Sequence, residues 1–213
     1  MRKSLAPAAS LDIPWVLDIC EKIVLVALFL RFNTVLLPAL RAHLNPVDIV
    51  VLLSEGPVVV FALTHRATSD ISLRRGDWTL AIAGSFLPLL VVLAFAGPAL
   101  PAIFCAAVMT AGFLAQIAAK LTLRRSFGLV AANRGVKVGG PYRLVRHPMY
   151  AGYLMTNLAF LAYHPALWNL GVYVAAFAAQ CFRLLAEERL LCADEAYRSF
   201  MKTTRYRLIP FVF

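Results

Sequence analysis

Long apolar runs dominate this sequence, and short stretches that carry charge, proline or glycine separate them. A bilayer core of roughly 30 Å requires about 20 apolar residues per helix. With 61% hydrophobic and 15% charged residues, the composition argues against a water-soluble domain and against a disordered chain. We therefore predict an all-α polytopic membrane protein with about six transmembrane segments. The predicted segments are Ile23–Leu40, Val47–Leu63, Trp78–Ala96, Ala99–Leu121, Met149–Tyr163 and Ala166–Leu185.

The last two predicted segments are separated by the dipeptide His164-Pro165. Proline lacks a backbone N–H donor, and it disfavours helical conformation at the residue that precedes it. We therefore expect the chain to turn at this point and the two segments to form a helical hairpin.

Positive charge is concentrated in the second half of the chain. Of the 21 Lys and Arg residues, 8 precede position 118 and 13 follow it, whereas the 11 acidic residues divide into 7 and 4, so the local balances are +1 and +9. In a membrane protein such an excess indicates cytoplasmic loops and attraction to anionic lipid headgroups. We expect a multi-pass protein with both termini in the cytoplasm, in contact with membrane lipids, without a nucleic-acid partner or an obligate protein partner. Its membrane would be the plasma membrane of a prokaryote or the endoplasmic reticulum of a eukaryote.

The character of the chain changes near Lys120. Residues 1–117 are interpreted as an N-terminal transmembrane scaffold. Residues 118–213 contain most of the basic and aromatic clusters from which a reactive site can be built. The four cysteines show no C-x-x-C spacing, so we predict neither a disulfide framework nor a metal site.

Three polar residues of the first four predicted spans require an explanation, and one of them, Arg31, is expected to extend to the membrane surface or to pair with another helix. Glu55 is in the second span, and a carboxylate there is either functional or a neutral group bonded to backbone that Pro57 leaves unpaired. Gln116 is late in the fourth span, where it either faces a ligand or hydrogen-bonds a neighbouring helix. The residues alone leave both questions open, although for Gln116 they favour the helix contact.

Arg146-His147-Pro148 precedes the fifth predicted span. Proline suits the first turn of a helix, so His147 is expected at or next to the N-cap. The uncapped amides of that turn, with Arg146 beside them, favour an anion. An interfacial helix start, with its arginines on phospholipid phosphates, would explain the same residues.

The first turns of the same predicted helix contain Tyr150, Gly152 and Tyr153. The two tyrosines are three residues apart, so they lie on adjacent parts of one face and offer a wall for an aromatic or cationic ligand. Gly152 allows the close approach of another backbone or of a ligand. An aromatic belt at the membrane interface is the competing interpretation.

A second polar cluster follows the hairpin. Glu187 and Glu188 emerge at the predicted inner face, near the expected depth of His147, and two arginines, Arg205 and Arg207, follow closer to the end of the chain. Between them, an amphipathic helix is predicted from about position 194 to 203. That helix is expected to place Tyr197 and Phe200 against the membrane and its basic residues towards water.

These motifs occur in a characteristic order. They are Arg124-Arg125-Ser126-Phe127-Gly128, Arg146-His147-Pro148-Met149-Tyr150-Ala151-Gly152, Glu187-Glu188-x-x-Leu191, Tyr197 and Arg205-x-Arg207-x-x-Pro210. In this order they resemble the isoprenylcysteine carboxyl methyltransferase family of integral membrane methyltransferases. The resemblance covers roughly residues 110–213, and the first hundred residues match only as hydrophobic spans.

The resemblance implies S-adenosylmethionine as the cofactor, held in a cytosol-facing pocket formed by the last spans and the C-terminal segment. In agreement with a pocket of that kind, no G-x-G-x-x-G motif follows a strand in this sequence. The residues implied for cofactor binding are Gln116, His147, Pro148, Tyr150, Gly152, Tyr153, Glu187, Glu188 and Tyr197. The residues implied for catalysis are Arg146, Arg205, Arg207 and Glu188. Among these, Arg146 and one of Arg205 or Arg207 would meet a substrate carboxylate.

The implied reaction is methyl transfer to a carboxylate of a lipophilic, isoprenylcysteine-like substrate that enters from the bilayer. A carboxylate with a reference pKa near ~4 is already ionised, so this acceptor requires no general base. A phospholipid or amine acceptor would require one, which Glu187 or Glu188 would provide. Two further hypotheses are an NADPH-dependent, sterol-reductase-like enzyme and a non-enzymatic membrane protein.

Overall fold

The computed structural model describes residues 13–42, 46, 47, 49, 50, 53, 60, 71–93 and 97–212. This part of the chain is helical and contains no strand, which confirms the predicted all-α class. Its α-helices are α1 (Ile13–Ala42), α2 (Arg75–Phe86), α3 (Ala102–Leu123), α4 (Pro148–Tyr163), α5 (Leu167–Leu191) and α6 (Glu195–Thr203). The boundary predicted between residues 117 and 118 falls within α3. The predicted intramembrane carboxylate, Glu55, and most of the second predicted span lie outside the described residues.

Two of these helices, α3 and α5, are long and apolar enough to cross a membrane. At 1.5 Å per residue, the 22 residues of α3 extend about 33 Å. Both helices expose large apolar side chains, among them Ile103 on α3 and Phe182 on α5. Length and composition therefore support membrane association, while the six-span topology and the orientation of the termini stay predictions.

The third predicted span is not a single helix in its described residues. Helix α2 ends at Phe86, a 3-10 turn covers Leu87–Leu90 around Pro88, and Val91 is extended. The side chain of Asn169, from α5, accepts from the backbone N–H of Val92 and donates to its carbonyl, both at 2.9 Å. Proline removes a helical donor here, and the buried asparagine satisfies backbone groups that a continuous helix would have paired internally.

Helices α3 and α4 approach closely at two glycines. A Cβ atom added at Gly152 would lie 2.6 Å from the Gly112 carbonyl oxygen and 2.7 Å from Gln116 Cγ. One turn along α4, Thr156 Oγ1 accepts a hydrogen bond from Gln116 Nε2 at 3.4 Å. Small residues and interhelical hydrogen bonds are the usual means by which helices pack within a membrane.

The predicted break at His164-Pro165 separates α4 from α5. The N–H of His164 still donates to Phe160 O at 2.7 Å, and the His164 carbonyl accepts from Asn169 Nδ2 at 2.9 Å. Helix α4 packs mainly against α3, whereas α5 packs mainly against α2. The two arms of the hairpin are therefore held by different neighbours.

The segment between α3 and α4 is mostly irregular and is covered by residues 71–74. Ile71 forms an isolated antiparallel bridge with Ala132, and Ser72 hydrogen-bonds Asp77. Arg189 of α5 ion-pairs with the same carboxylate at 2.7 Å. Burial by itself would raise the pKa of Asp77. The Ser72 hydrogen bond and the Arg189 guanidinium outweigh burial, so the pKa of Asp77 lies below its ordinary value. A charged Asp77 thus ties the covering segment to α5.

The C-terminal segment runs beside the start of α4. The backbone N–H groups of Arg146 and His147 donate to the carbonyls of Tyr206 and Arg207, both at 2.8 Å. These bonds place residues 204–207 on the irregular segment rather than in a separate tail.

Helix α6 corrects one expectation. Tyr197 and Phe200 are 4% and 5% exposed, and they pack in the same apolar core as Tyr150, so the apolar face of α6 is directed to the protein and not to the membrane. The basic residues of the helix, Arg198 and Lys202, are exposed as expected. Amphipathic periodicity identifies the apolar face, but only the fold shows what covers it.

Candidate functional site

Glu188, near the end of α5, is the centre of a buried ionic cluster. Its Oε1 atom lies 2.7 Å from Arg146 Nε and 3.1 Å from His147 Nε2, and its Oε2 atom lies 2.9 Å from Arg207 Nε. A buried carboxylate requires such hydrogen-bonded cationic partners to offset its lost hydration. The cluster therefore joins the end of α5, the start of α4 and the C-terminal segment.

The Arg146 guanidinium is held on more than one side. Besides Glu188, it donates through Nη1 to the carbonyls of Arg205, at 2.8 Å, and Thr204, at 3.2 Å. Arg146 is 6% exposed. The side chain is thus fixed in orientation by one carboxylate and two backbone groups.

Glu187, one residue before Glu188, has a separate set of partners. Its Oε1 atom accepts from the Tyr150 hydroxyl at 2.6 Å and lies 3.4 Å from Arg183 Nε. Its Oε2 atom lies 4.0 Å from His147 Nδ1. The Arg183 guanidinium also lies over the Tyr150 ring, 5.4 Å from the ring centre. The two adjacent carboxylates therefore both approach His147, and they have different arginine partners: Arg183 for Glu187, and Arg146 and Arg207 for Glu188.

Tyr197 carries a polar group without a partner. Within the described part of the chain, its buried hydroxyl makes no hydrogen bond. Burial, followed by the nearby Glu188 carboxylate, raises the pKa of Tyr197 well above its ordinary value. The hydroxyl therefore stays neutral, and it is available as a donor to a group that enters the cavity.

These groups surround a cavity of about 740 Å³, a volume that includes its open mouth. The apolar side chains of its lining, called the apolar wall below, are mainly Leu123, Phe127, Val130, Met149, Leu191 and Phe200. The polar side chains of its lining, called the polar wall below, are mainly Arg134, Arg146, His147, Tyr150, Glu187 and Tyr197. Small-molecule sites combine an apolar lining with a few placed polar groups.

The structure brings most of the predicted site residues to this end of the molecule. Those that line the cavity are Arg146, His147, Tyr150, Glu187 and Tyr197. Glu188 ion-pairs with two of these lining residues, Arg146 and His147, and Arg207 ion-pairs with Glu188. Pro148 is the first residue of α4. Arg205 contributes its carbonyl to Arg146, whereas its side chain is exposed.

Three predicted cofactor residues lie instead at the contact of α3 with α4. Gly152 and Gln116 pack against each other there. Tyr153 places its ring 5.4 Å from the ammonium group of Lys120, a fully buried residue of α3. These residues support the helix that carries His147 and Tyr150, and they are not among the cavity-lining side chains.

Two arginines of the site were not among the predicted site residues, although Arg183 was recognised as part of the polar cluster that contains Glu187 and Glu188. Arg134 lines the cavity and Arg183 contacts Glu187. The i,i+4 spacing of Arg183 and Glu187 on a helix was a usable signal for the second residue. Nothing in the sequence distinguished Arg134 from the other basic residues of its loop.

No protein-family model matches this chain, and no curated protein sequence matches it either. Its function is therefore inferred from the geometry of the site and from the sequence motifs.

Proposed function

We propose that this chain is a membrane methyltransferase that uses S-adenosylmethionine and transfers the methyl group to a carboxylate of a lipophilic substrate. One observation carries the proposal: a single cavity joins an apolar wall to a polar wall of His147, Tyr150, Glu187 and Tyr197. This cavity lies at the end of α5, one of the two helices that are long and apolar enough to cross a membrane.

The residues of the cavity fit the proposed cofactor. S-adenosylmethionine supplies a methyl group on a positively charged sulfonium, together with an adenosine and an amino-acid end. The apolar wall suits the adenine ring, and the Glu187 carboxylate suits positive charge. The neutral, unpartnered hydroxyl of Tyr197 is a donor for a polar group of the ligand. His147 and Tyr150 would complete the polar wall.

The protein's role with a carboxylate acceptor is alignment. An ionised carboxylate needs no base, and correct positioning of reacting atoms can lower a barrier by roughly 7–11 kcal/mol. Arg146 and one of Arg205 or Arg207 were expected to meet the substrate. Arg146 and Arg207 are both ion-paired with Glu188. The Arg207 side chain is 32% exposed, against 6% for Arg146. Arg207 is therefore the more exposed cation of this cluster, whereas Arg146 is the one that lines the cavity.

An amine is the second candidate acceptor. The observation that favours it is that Glu188 already provides an anionic partner for both arginines. Glu187 lines the cavity, and it would receive the proton that an ammonium group must lose before methylation. The two acceptors differ in their product, because a carboxyl methyl ester releases methanol in base whereas a methylated amine does not.

Cofactor binding is the first test of this proposal. Isothermal titration of the detergent-purified protein with S-adenosylhomocysteine is expected to show saturable binding. Glu187→Gln is expected to weaken that binding at least tenfold, because the variant removes the negative charge on the polar wall. Lys202→Gln is the matched control, since Lys202 is an exposed residue of α6 outside the cavity lining.

NADPH serves as the competing ligand in the same titration. Binding of NADPH alone would favour a reductase and contradict the methyltransferase proposal. A folded sample that binds neither ligand would contradict both enzymatic interpretations.

A further inference from the structure

Arg134 occupies a fixed position in the cavity wall. It is 8% exposed and belongs to the irregular segment between α3 and α4. Its carbonyl accepts from Ser126 Oγ at 2.8 Å, and the neighbouring Asn133 donates to Asp194, the N-cap residue of α6, at 3.1 Å. The backbone that carries Arg134 is therefore tied both to its own loop and to α6.

Gly128 provides the space in which the Arg134 guanidinium lies. A Cβ atom at position 128 would lie 2.6 Å from Arg134 Cζ, well inside van der Waals contact. The backbone of Gly128 is not in the left-handed region, where only Gly135 and Gly140 are found among the described glycines. The absence of a side chain at 128 therefore serves the guanidinium, and not the local backbone conformation. The Gly128 carbonyl accepts from Arg183 Nη2 at 3.3 Å, which holds this glycine in place.

The cavity lining carries charges of both signs. From the loop, Arg134 and Lys137 both line the cavity, and Arg134 Nη1 donates to the carbonyl of Val130 at 3.5 Å. Helix α5 contributes the Glu187 carboxylate to the lining, and this carboxylate is ion-paired with Arg183. The loop therefore adds two cations to the lining, which suit an anionic group of a ligand.

We propose that Arg134, held against Gly128, binds the carboxylate of the amino-acid end of the cofactor. This inference rests on the methyltransferase function proposed above. A guanidinium group binds a carboxylate through two parallel hydrogen bonds, which fixes orientation as well as charge. Arg134 lies outside α3 and α5, the candidate membrane-spanning helices, so a water-soluble ligand reaches it more directly than a lipid does. The ammonium of the same amino-acid end would face the Glu187 carboxylate.

Two ligands that differ in the amino-acid end test this assignment. S-adenosylhomocysteine has that end, and 5′-methylthioadenosine lacks it while keeping the adenosine and the thioether. Titration of Arg134→Gln is expected to show at least tenfold weaker binding of S-adenosylhomocysteine and less than twofold change for 5′-methylthioadenosine. Arg134→Lys, which keeps the charge but not the two-pronged geometry, is expected to fall between Arg134→Gln and the wild type.

Gly128→Ala is a second, independent variant. It keeps the charge of Arg134 but displaces its guanidinium, so it is expected to cause the same selective loss. Lys202→Gln again serves as the control for removal of an exposed positive charge. Binding of 5′-methylthioadenosine also reports whether each variant is folded.

The possible results separate this inference from the function on which it rests. Wild-type protein that fails to bind S-adenosylhomocysteine would overturn both. Wild-type binding with unchanged affinity in Arg134→Gln would overturn only the assignment of Arg134. Equal losses for both ligands would also overturn it, because they would show that Arg134 supports the cavity as a whole and not the carboxylate.

Discussion

At the scale of single residues, Glu188 organises the site. One buried carboxylate bonds Arg146, His147 and Arg207, and so brings together residues far apart in the sequence. These partners are not equivalent, since Arg146 and His147 are buried whereas Arg207 is partly exposed. Removal of different members of the cluster should therefore affect stability and activity differently.

Glu188→Ala is expected to destabilise the protein. The variant leaves Arg146 and His147 buried without their shared carboxylate, and breaking a buried ion pair from one side costs about 3–5 kcal/mol. Thermal unfolding in detergent checks this, and a melting temperature close to that of the wild type would show that the cluster contributes little to the fold.

Arg207→Ala separates stability from catalysis. In this variant Glu188 retains its contacts with Arg146 and His147. We therefore expect a loss of stability of about 1 kcal/mol or less, as for exposed ion pairs. In the carboxylate model, kcat/KM for methyl ester formation should fall at least tenfold, which corresponds to about 1.4 kcal/mol. Base-released methanol measures the product. Near-normal methyl ester formation would contradict the role of Arg207 in binding the carboxylate, whereas a methylated product that releases no methanol would support the amine acceptor.

At the scale of secondary-structure elements, the contact of α3 with α4 fixes the position of the first turn of α4, which carries residues of the site. Helix α4 starts at Pro148, next to His147, and its register against α3 is set where Gly112 and Gly152 meet. The Gly152 position was expected to admit either a backbone or a ligand, and the structure shows the backbone of α3 there. The close approach thus acts on the site indirectly, through the position of α4.

Gly152→Ala is expected to destabilise the protein by about 1–3 kcal/mol, the usual cost of overpacking. The added methyl group would meet the Gly112 carbonyl, which belongs to the backbone and cannot rotate away as a side chain would. Gly171→Ala is the matched control, because nothing lies within 4 Å of a Cβ atom at that position of α5. Thermal unfolding of the two variants compares them, and equal melting temperatures would contradict this account of the packing.

At the scale of the whole molecule, the described structure has two distinct ends. The site lies at the end where α3 finishes and α4 begins. The uncharged segment 97–101 lies at the other end, where Ala99 N donates to Ala162 O near the turn of the hairpin at 2.9 Å. The length of α3, about 33 Å, matches the roughly 30 Å of a bilayer core.

Labelling of single cysteines tests the predicted orientation. In a protein whose four native cysteines are replaced, Ser199→Cys on α6 should react with a membrane-impermeant thiol reagent from the cytoplasmic side only. Ala99→Cys should react only from the opposite side. Both positions are exposed in the structure. Labelling of both cysteines from one side would contradict the predicted topology.

The sequence by itself determined the helical class, the break at His164-Pro165 and the two clusters of polar residues. These follow from local physics, because apolar run length, proline chemistry and charge are properties of short stretches of chain. The order of its motifs also predicted that His147, Tyr150, Glu187 and Tyr197 belong to one site.

Only the tertiary structure decided which partner each of these residues has. The pairing of Glu188 with Arg146 and Arg207 and the burial of Tyr197 against the core join separate elements. A local pattern shows that a helix face is apolar or that a side chain is charged. It does not show which surface covers that face, because long-range packing selects one partner among many of similar chemistry.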